Sequence, residues 1–97
     1  AIVTNPIHIA VALAYDEEED PAPKIIVMGK GITAESIIKI GLDNNVPIMR
    51  NVTLAQDLYN KGRMGHYVPE ETYEAIAEVL KWLAQLEASQ QTVDLFR

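Results

Sequence analysis

The sequence of 97 residues contains no cysteine, so disulfides and thiolate chemistry are both excluded. That absence fits a reducing compartment. Histidine is scarce: His8 and His66 are the only two, too far apart in sequence to suggest a metal site, and no cofactor is expected. No apolar run approaches the ~20 residues that a membrane span needs. No secretory leader is visible. Positive charge is also in short supply. Eight Lys and Arg stand against 14 Asp and Glu, for a net charge of −6. A domain this acidic is not a nucleic-acid binder by default and is repelled by an anionic leaflet. A phosphate cradle is missing as well. Gly29-Lys30-Gly31 carries a lysine between glycines, but a P-loop requires Gly-x-x-x-x-Gly-Lys-Ser/Thr. Here Lys30 is followed by Gly31 and no glycine stands five residues before Gly29. A nucleotide-binding enzyme is therefore disfavoured.

What is present suits one small globular domain. Apolar residues make up 48% of the chain, enough for a modest core without covalent staples. Ala1 to Thr4 is β-prone and reads as a short edge strand. From Ile7 to Tyr15 both faces are largely apolar, the pattern of a central strand covered on both sides. The small residues Ala10, Ala12 and Ala14 leave room for a closely packed helix. Asp16-Glu17-Glu18-Glu19-Asp20, closed by Pro21-Ala22-Pro23, reads as a solvated loop rather than a calcium loop, whose ligands are spaced and interrupted by glycine. Lys24 to Met28 forms the next strand. Thr33 is the expected N-cap of a helix reaching Asp43, with Ile37, Ile38, Ile40 and Leu42 on its apolar side and Asn44-Asn45 as its stop. Val46 to Met49 makes a strand reached by a crossover, expected to be right-handed and parallel. Thr53 and Gln56 suggest a capping box for a helix ending at Gly62. Pro69 opens the last helix, with Tyr73, Ile76, Ala77, Leu80 and Leu83 toward the core. The pattern fades over 88–97, which reads as a disordered tail. The expected architecture is α/β: a small mixed sheet of about four strands with helices on both faces.

The chemically unusual stretch is Asn5-Pro6-Ile7-His8. Ordinary deamidation needs a backbone N–H on the residue after asparagine, and Pro6 has none. The remaining route is attack of the Asn5 side-chain nitrogen on its own backbone carbonyl carbon, closing a succinimide and expelling the Pro6 nitrogen. A turn that holds the amide against the carbonyl would favour it, as would an acid or base nearby, a part that His8 could play. On residue grounds alone an Asn-Pro turn is usually inert, and His8 on an alanine-lined face reads equally well as a buried, hydrogen-bonded histidine.

The segment from Val3 to Leu13 resembles the self-cleaving segment of the FlhB/YscU family of export-gate switch proteins in bacterial type III secretion and flagellar export. Further matches follow in order: Ala22-Pro23 before a strand, Ile38-Lys39-Ile40, Val46-Pro47-Ile48, Leu54-Ala55 with Leu58-Tyr59, and His66-Tyr67-Val68-Pro69 leading to the run from Ala77 to Leu83. The resemblance covers residues 1–87 and leans toward the virulence, or injectisome, branch. It departs at one place. The family motif is Asn-Pro-Thr-His, and Ile7 stands where the threonine would support the turn.

The resemblance implies a cytoplasmic autocleavage domain over 1–87, cut between Asn5 and Pro6, with Asn5 as nucleophile, Pro6 as leaving group and His8 assisting. This is a single-turnover event in the chain itself, not turnover of a separate substrate. It further implies the cytoplasmic face of the bacterial inner membrane, reached through a transmembrane region that precedes these residues. Implied partners are other export components, a ruler protein, and export substrates or their chaperones, and the implied role is switching of substrate specificity. The competing expectation is a passive docking domain in which cleavage is impaired by Ile7.

Overall fold

A computed structural model of the chain describes residues 1–6 and 8–95, with the side chains of 89–95 excepted. Four strands are present: β1 (Ile2–Asn5), β2 (Ile9–Ala14), β3 (Lys24–Lys30) and β4 (Ile48–Arg50). Three helices follow the same chain order, α1 (Ile32–Asp43), α2 (Val52–Lys61) and α3 (Tyr73–Leu95), the last introduced by a 3-10 turn at Glu70–Thr72. The sheet order is β3-β2-β1-β4. β2 is antiparallel to both neighbours, and β4 runs parallel to β1 with Ile2 opposite Ile48. The mixed α/β expectation is therefore met, while several of its parts are placed differently.

β1 is an inner strand, not an edge. Its four residues are bracketed by β2 on one side and β4 on the other. β4 pairs with β1 instead of β3, so the β3–α1–β4 connection passes across two intervening strands. β2 begins at Ile9, two residues later than the apolar run suggests, because the chain is still turning at His8. β3 carries an irregularity: the register with β2 slips between Ala12 and Leu13, leaving Ile26 without an opposite residue and 58% exposed.

Each face of the sheet is covered. Val3, Ile9, Val11 and Leu13 face α2 and α3, where they meet Leu54, Ala55, Leu58, Ile76 and Val79. Ile2 and Ala10 face α1 and meet Ala34 and Ile37. Ala10 is fully buried, and its small side chain lets α1 approach closely. Gly41 does the same further along α1: a Cβ there would collide with Ile2 Cδ1.

The helix limits differ from the sequence expectation in instructive ways. α1 starts at Ile32 and is capped by Gly31, not Thr33, with no side-chain cap bond. Its buried residues are Ala34, Ile37 and Gly41, whereas Ile40 and Leu42 are exposed. Asn45, at φ 58°, ends it in the left-handed region that asparagine tolerates. α2 is capped by Asn51, whose Oδ1 accepts from the Leu54 amide at 3.1 Å, rather than by Thr53. In α3, Ile76 and Val79 are buried, Leu80 and Leu83 pack against them, and Tyr73 and Ala77 face outward. Trp82 is half-buried. Helical backbone continues through Leu95, into the segment 88–97 expected as a tail. No glycine or proline interrupts it there, and residues 96–97 lie outside the described residues. Among the described residues, no helix is long and apolar enough to cross a membrane.

Candidate functional site

Asn5 is the last residue of β1 and pairs with Ile9, the first residue of β2. Two antiparallel strands separated by so few residues must be joined by a tight turn. That turn is closed by a hydrogen bond from the His8 amide to the Asn5 carbonyl oxygen, 3.0 Å long. Pro6 suits the second position of such a turn because its φ is already set and it has no N–H to satisfy. Asn5 is half-buried at the strand end, whereas Pro6 and His8 are exposed. The exposure of His8 overturns the buried, hydrogen-bonded alternative for its side chain. Ile7, the expected turn support, lies outside the described residues.

The turn sits at the end of the sheet where β1, β3 and β4 finish and where α1 and α2 begin. Both neighbouring loops reach it through the backbone. The Gly31 amide donates to the His8 carbonyl at 3.0 Å, and the Asn51 amide donates to the Thr4 carbonyl at 3.0 Å. Thr4 is itself buried, its hydroxyl directed at the Met49 carbonyl at 3.5 Å. Lys30 stands opposite Ile9 across the β2–β3 ladder, with its ammonium 4.8 Å from the centre of the Tyr59 ring. Asn5 is therefore held on both sides of its own position: upstream by β4 and Asn51, downstream by Gly31.

This geometry matters chemically because the carbonyl that receives the His8 amide is the carbonyl a cyclising asparagine would attack. A donor already on that oxygen polarises the bond and is in place when negative charge develops there. The covalent partners of such a cyclisation lie within the turn: the nucleophile is the Asn5 side chain and the leaving group is Pro6 nitrogen. Among the described residues, no three His, Asp or Glu side chains come together as a metal-holding group.

His66 is elsewhere. It lies in the loop after α2, and its carbonyl accepts from the Ile25 amide at 2.9 Å, at the opposite end of β3 from Lys30. It does not join Asn5 and His8. The contributions of Gly31 and Asn51 were not visible in the sequence. Nothing in the sequence separates Gly31 from an ordinary turn glycine, and the Thr53–Gln56 spacing imitates a capping box that hides Asn51.

A family model described as the FlhB HrpN YscU SpaS family matches residues 1–83. The flagellar biosynthetic protein FlhB of Escherichia coli is 46% identical over 85 residues, covering 88% of this chain and 22% of that protein. FlhB of Helicobacter pylori is 40% identical over 90 residues, covering 93% of this chain and 25% of its own length. The chain thus spans about a fifth to a quarter of these relatives. Among solved structures, the cytoplasmic domain of FlhB from Shewanella putrefaciens superposes with a TM-score of 0.86 at 32% identity, covering 94% of this chain and 70% of that one. A mutated EscU C-terminal domain superposes with a TM-score of 0.79 at 35% identity, covering 82% of this chain and 80% of that one. On the span of the family match and the identity of these relatives, the chain belongs to the FlhB HrpN YscU SpaS family.

Proposed function

We propose that this domain cuts its own chain once, between Asn5 and Pro6, and that the cut changes which substrates a type III export apparatus accepts. The observation that carries the reading is the 3.0 Å hydrogen bond from the His8 amide to the carbonyl of the bond to be broken. Family membership and the retained Asn5, Pro6 and His8 support it further.

The steps balance within the turn. Asn5 Nδ2 attacks the Asn5 carbonyl carbon, and the electron pair of the C=O bond moves to oxygen, where the His8 amide meets it. Nδ2 loses a proton. Collapse of the intermediate breaks the bond to Pro6, whose nitrogen leaves with a proton as a secondary amine. The exposed His8 imidazole carries protons between these nitrogens and water. Water then opens the succinimide left on Asn5.

In this reading the domain works on the cytoplasmic side of the bacterial inner membrane, attached through a transmembrane region outside this sequence. Its partners are other export components, a ruler protein and export substrates or their chaperones. The assignment to the injectisome branch rests on motif resemblance. The relatives reported above include flagellar FlhB, and the structural likenesses include EscU. Expression in strains lacking the flagellar or the injectisome homologue, scored for restored export, separates the two branches.

Ile7 supports a second reading, a docking domain whose turn is recognised but not cut, since a threonine hydroxyl is missing where the family motif has one. Intact mass decides. The domain is prepared with extra residues before Ala1, denatured at intervals and weighed. Two masses that sum to the whole plus one water, with Pro6 as a new N-terminus, establish self-cleavage. A single mass, unchanged over days at neutral and mildly alkaline pH, leaves only the docking reading.

A further inference from the structure

The hydrogen bond that closes the turn is useful only if His8 stays where it is, and His8 is exposed beyond the end of β1. What pins it comes from another part of the chain. The Gly31 amide donates to the His8 carbonyl at 3.0 Å, and the His8 amide donates to the Asn5 carbonyl at 3.0 Å. Two bonds in series thus connect the β3–α1 loop to the carbonyl under attack.

Gly31 makes its bond from an unusual conformation, φ 56° and ψ −125°. This combination is closed to ordinary L-residues and open to glycine. The same residue caps α1: its carbonyl accepts the Glu35 amide at 3.0 Å. Gly31 is therefore fixed from behind by a helix while its amide points at the turn. A side chain at this position would meet nothing within 4 Å. Packing does not demand glycine here, so the conformation does. We propose that Gly31 is a positioning residue for cleavage at Asn5–Pro6. Its amide holds His8 so that the His8 amide stays on the Asn5 carbonyl as that oxygen becomes negative. The proposal rests on the self-cleavage reading and extends it to a residue outside the Asn-Pro-x-His motif.

The open space around Gly31 makes the test clean. The chain, extended before Ala1, is released from denaturant to start the clock, and cleavage is followed by intact mass. Gly31→Ala alters backbone preference alone and is expected to slow cutting about tenfold or more, since small displacements of reacting groups cost rate steeply. D-alanine at the same position, introduced by semisynthesis, accepts a positive φ and should restore the parent rate. Glycolic acid at position 31 replaces the amide N–H by an ester oxygen and deletes the bond to His8. It should slow cutting like Gly31→Ala. Val79→Ala, in the core under α3 and distant from the turn, serves as the control for lost stability and should leave the rate unchanged. A parent chain that never cuts overturns the self-cleavage reading and this proposal with it. A parent that cuts, beside a folded ester variant that cuts equally fast, overturns the proposal alone. A D-alanine chain as slow as the L-alanine one also overturns it.

Discussion

β2 is joined to its two neighbours by connections of opposite character. Toward β1 the link is the short turn between Asn5 and Ile9; toward β3 it is the long acidic loop from Tyr15 to Pro23. The acidic loop largely organises itself. The Asp16 carboxylate accepts the Glu18 amide at 3.0 Å, and the Asp16 carbonyl accepts the Asp20 amide at 2.8 Å. From Asp16 to Asp20 its links to the rest of the molecule are weak surface ones, a 3.9 Å ion pair from Lys24 to Asp20 and a 3.5 Å contact from the Tyr67 hydroxyl; the far end of the loop is anchored by buried Ala22 and by the Val68 amide, which donates to the Pro23 carbonyl at 2.9 Å. The short turn is instead held by others, through Gly31 on one side and the flanking β4–α2 loop on the other. A loop stabilised by its own side chains can tolerate change without informing the rest of the fold. A turn stabilised from outside can be aimed by residues far away in sequence.

The contrast can be broken most completely at Asn5. Asn5→Ala is expected to abolish cleavage and leave the fold unchanged, since the side chain is only half-buried at a strand end. Two fragments from that variant would sink the cyclisation mechanism. Next in size is Ile2→Ala, which empties a buried site on the strand leading to the turn, where Ile2 is 3% exposed. A loss of about 2–5 kcal/mol is expected by urea unfolding, whereas the equivalent test in the acidic loop should barely register. Asp16→Ala removes one loop hydrogen bond and should cost about 1 kcal/mol or less, with cleavage unaffected; a slowed cut would show that the two connections are coupled. Ile7→Thr should cut at least as fast as the parent in the same mass assay, and a clearly slower rate would refute a supporting role for threonine.

Much of this was legible before any coordinates. Alternation and small alanines marked β2 and the close approach of α1, and the acidic run declared its solvated loop. The one cyclisation route open to Asn5-Pro6 follows from the missing proline N–H, and its use here is the proposal made above. The parts that were not legible share a cause, which is that they depend on partners distant in sequence. β1 looked like an edge because four β-prone residues carry no sign of a second neighbour, and the parallel pairing of Thr4 with Arg50 is a long-range event. His8 lies inside the apolar run that starts at Ile7, which points to burial, whereas the ladder begins at Ile9. The true start of α1 was hidden because Gly31 caps it with backbone alone, leaving no side-chain signature to read.

The inner position of β1 has a consequence of its own. A cut after Asn5 would convert this strand from a covalent part of the domain into a bound ligand, with an off-rate and a residence time. The complex would be tight while it lasted. Ile2 and Val3 anchor opposite cores, and hydrogen bonds run to strands on both sides. β4 would depend on the same lifetime, since β1 is the strand through which it joins the sheet. Loss of β1 would therefore strip β4 of its ladder and open a gap on both faces at once. The domain would carry a clock, started by chemistry at one peptide bond and read out by how slowly a four-residue strand lets go.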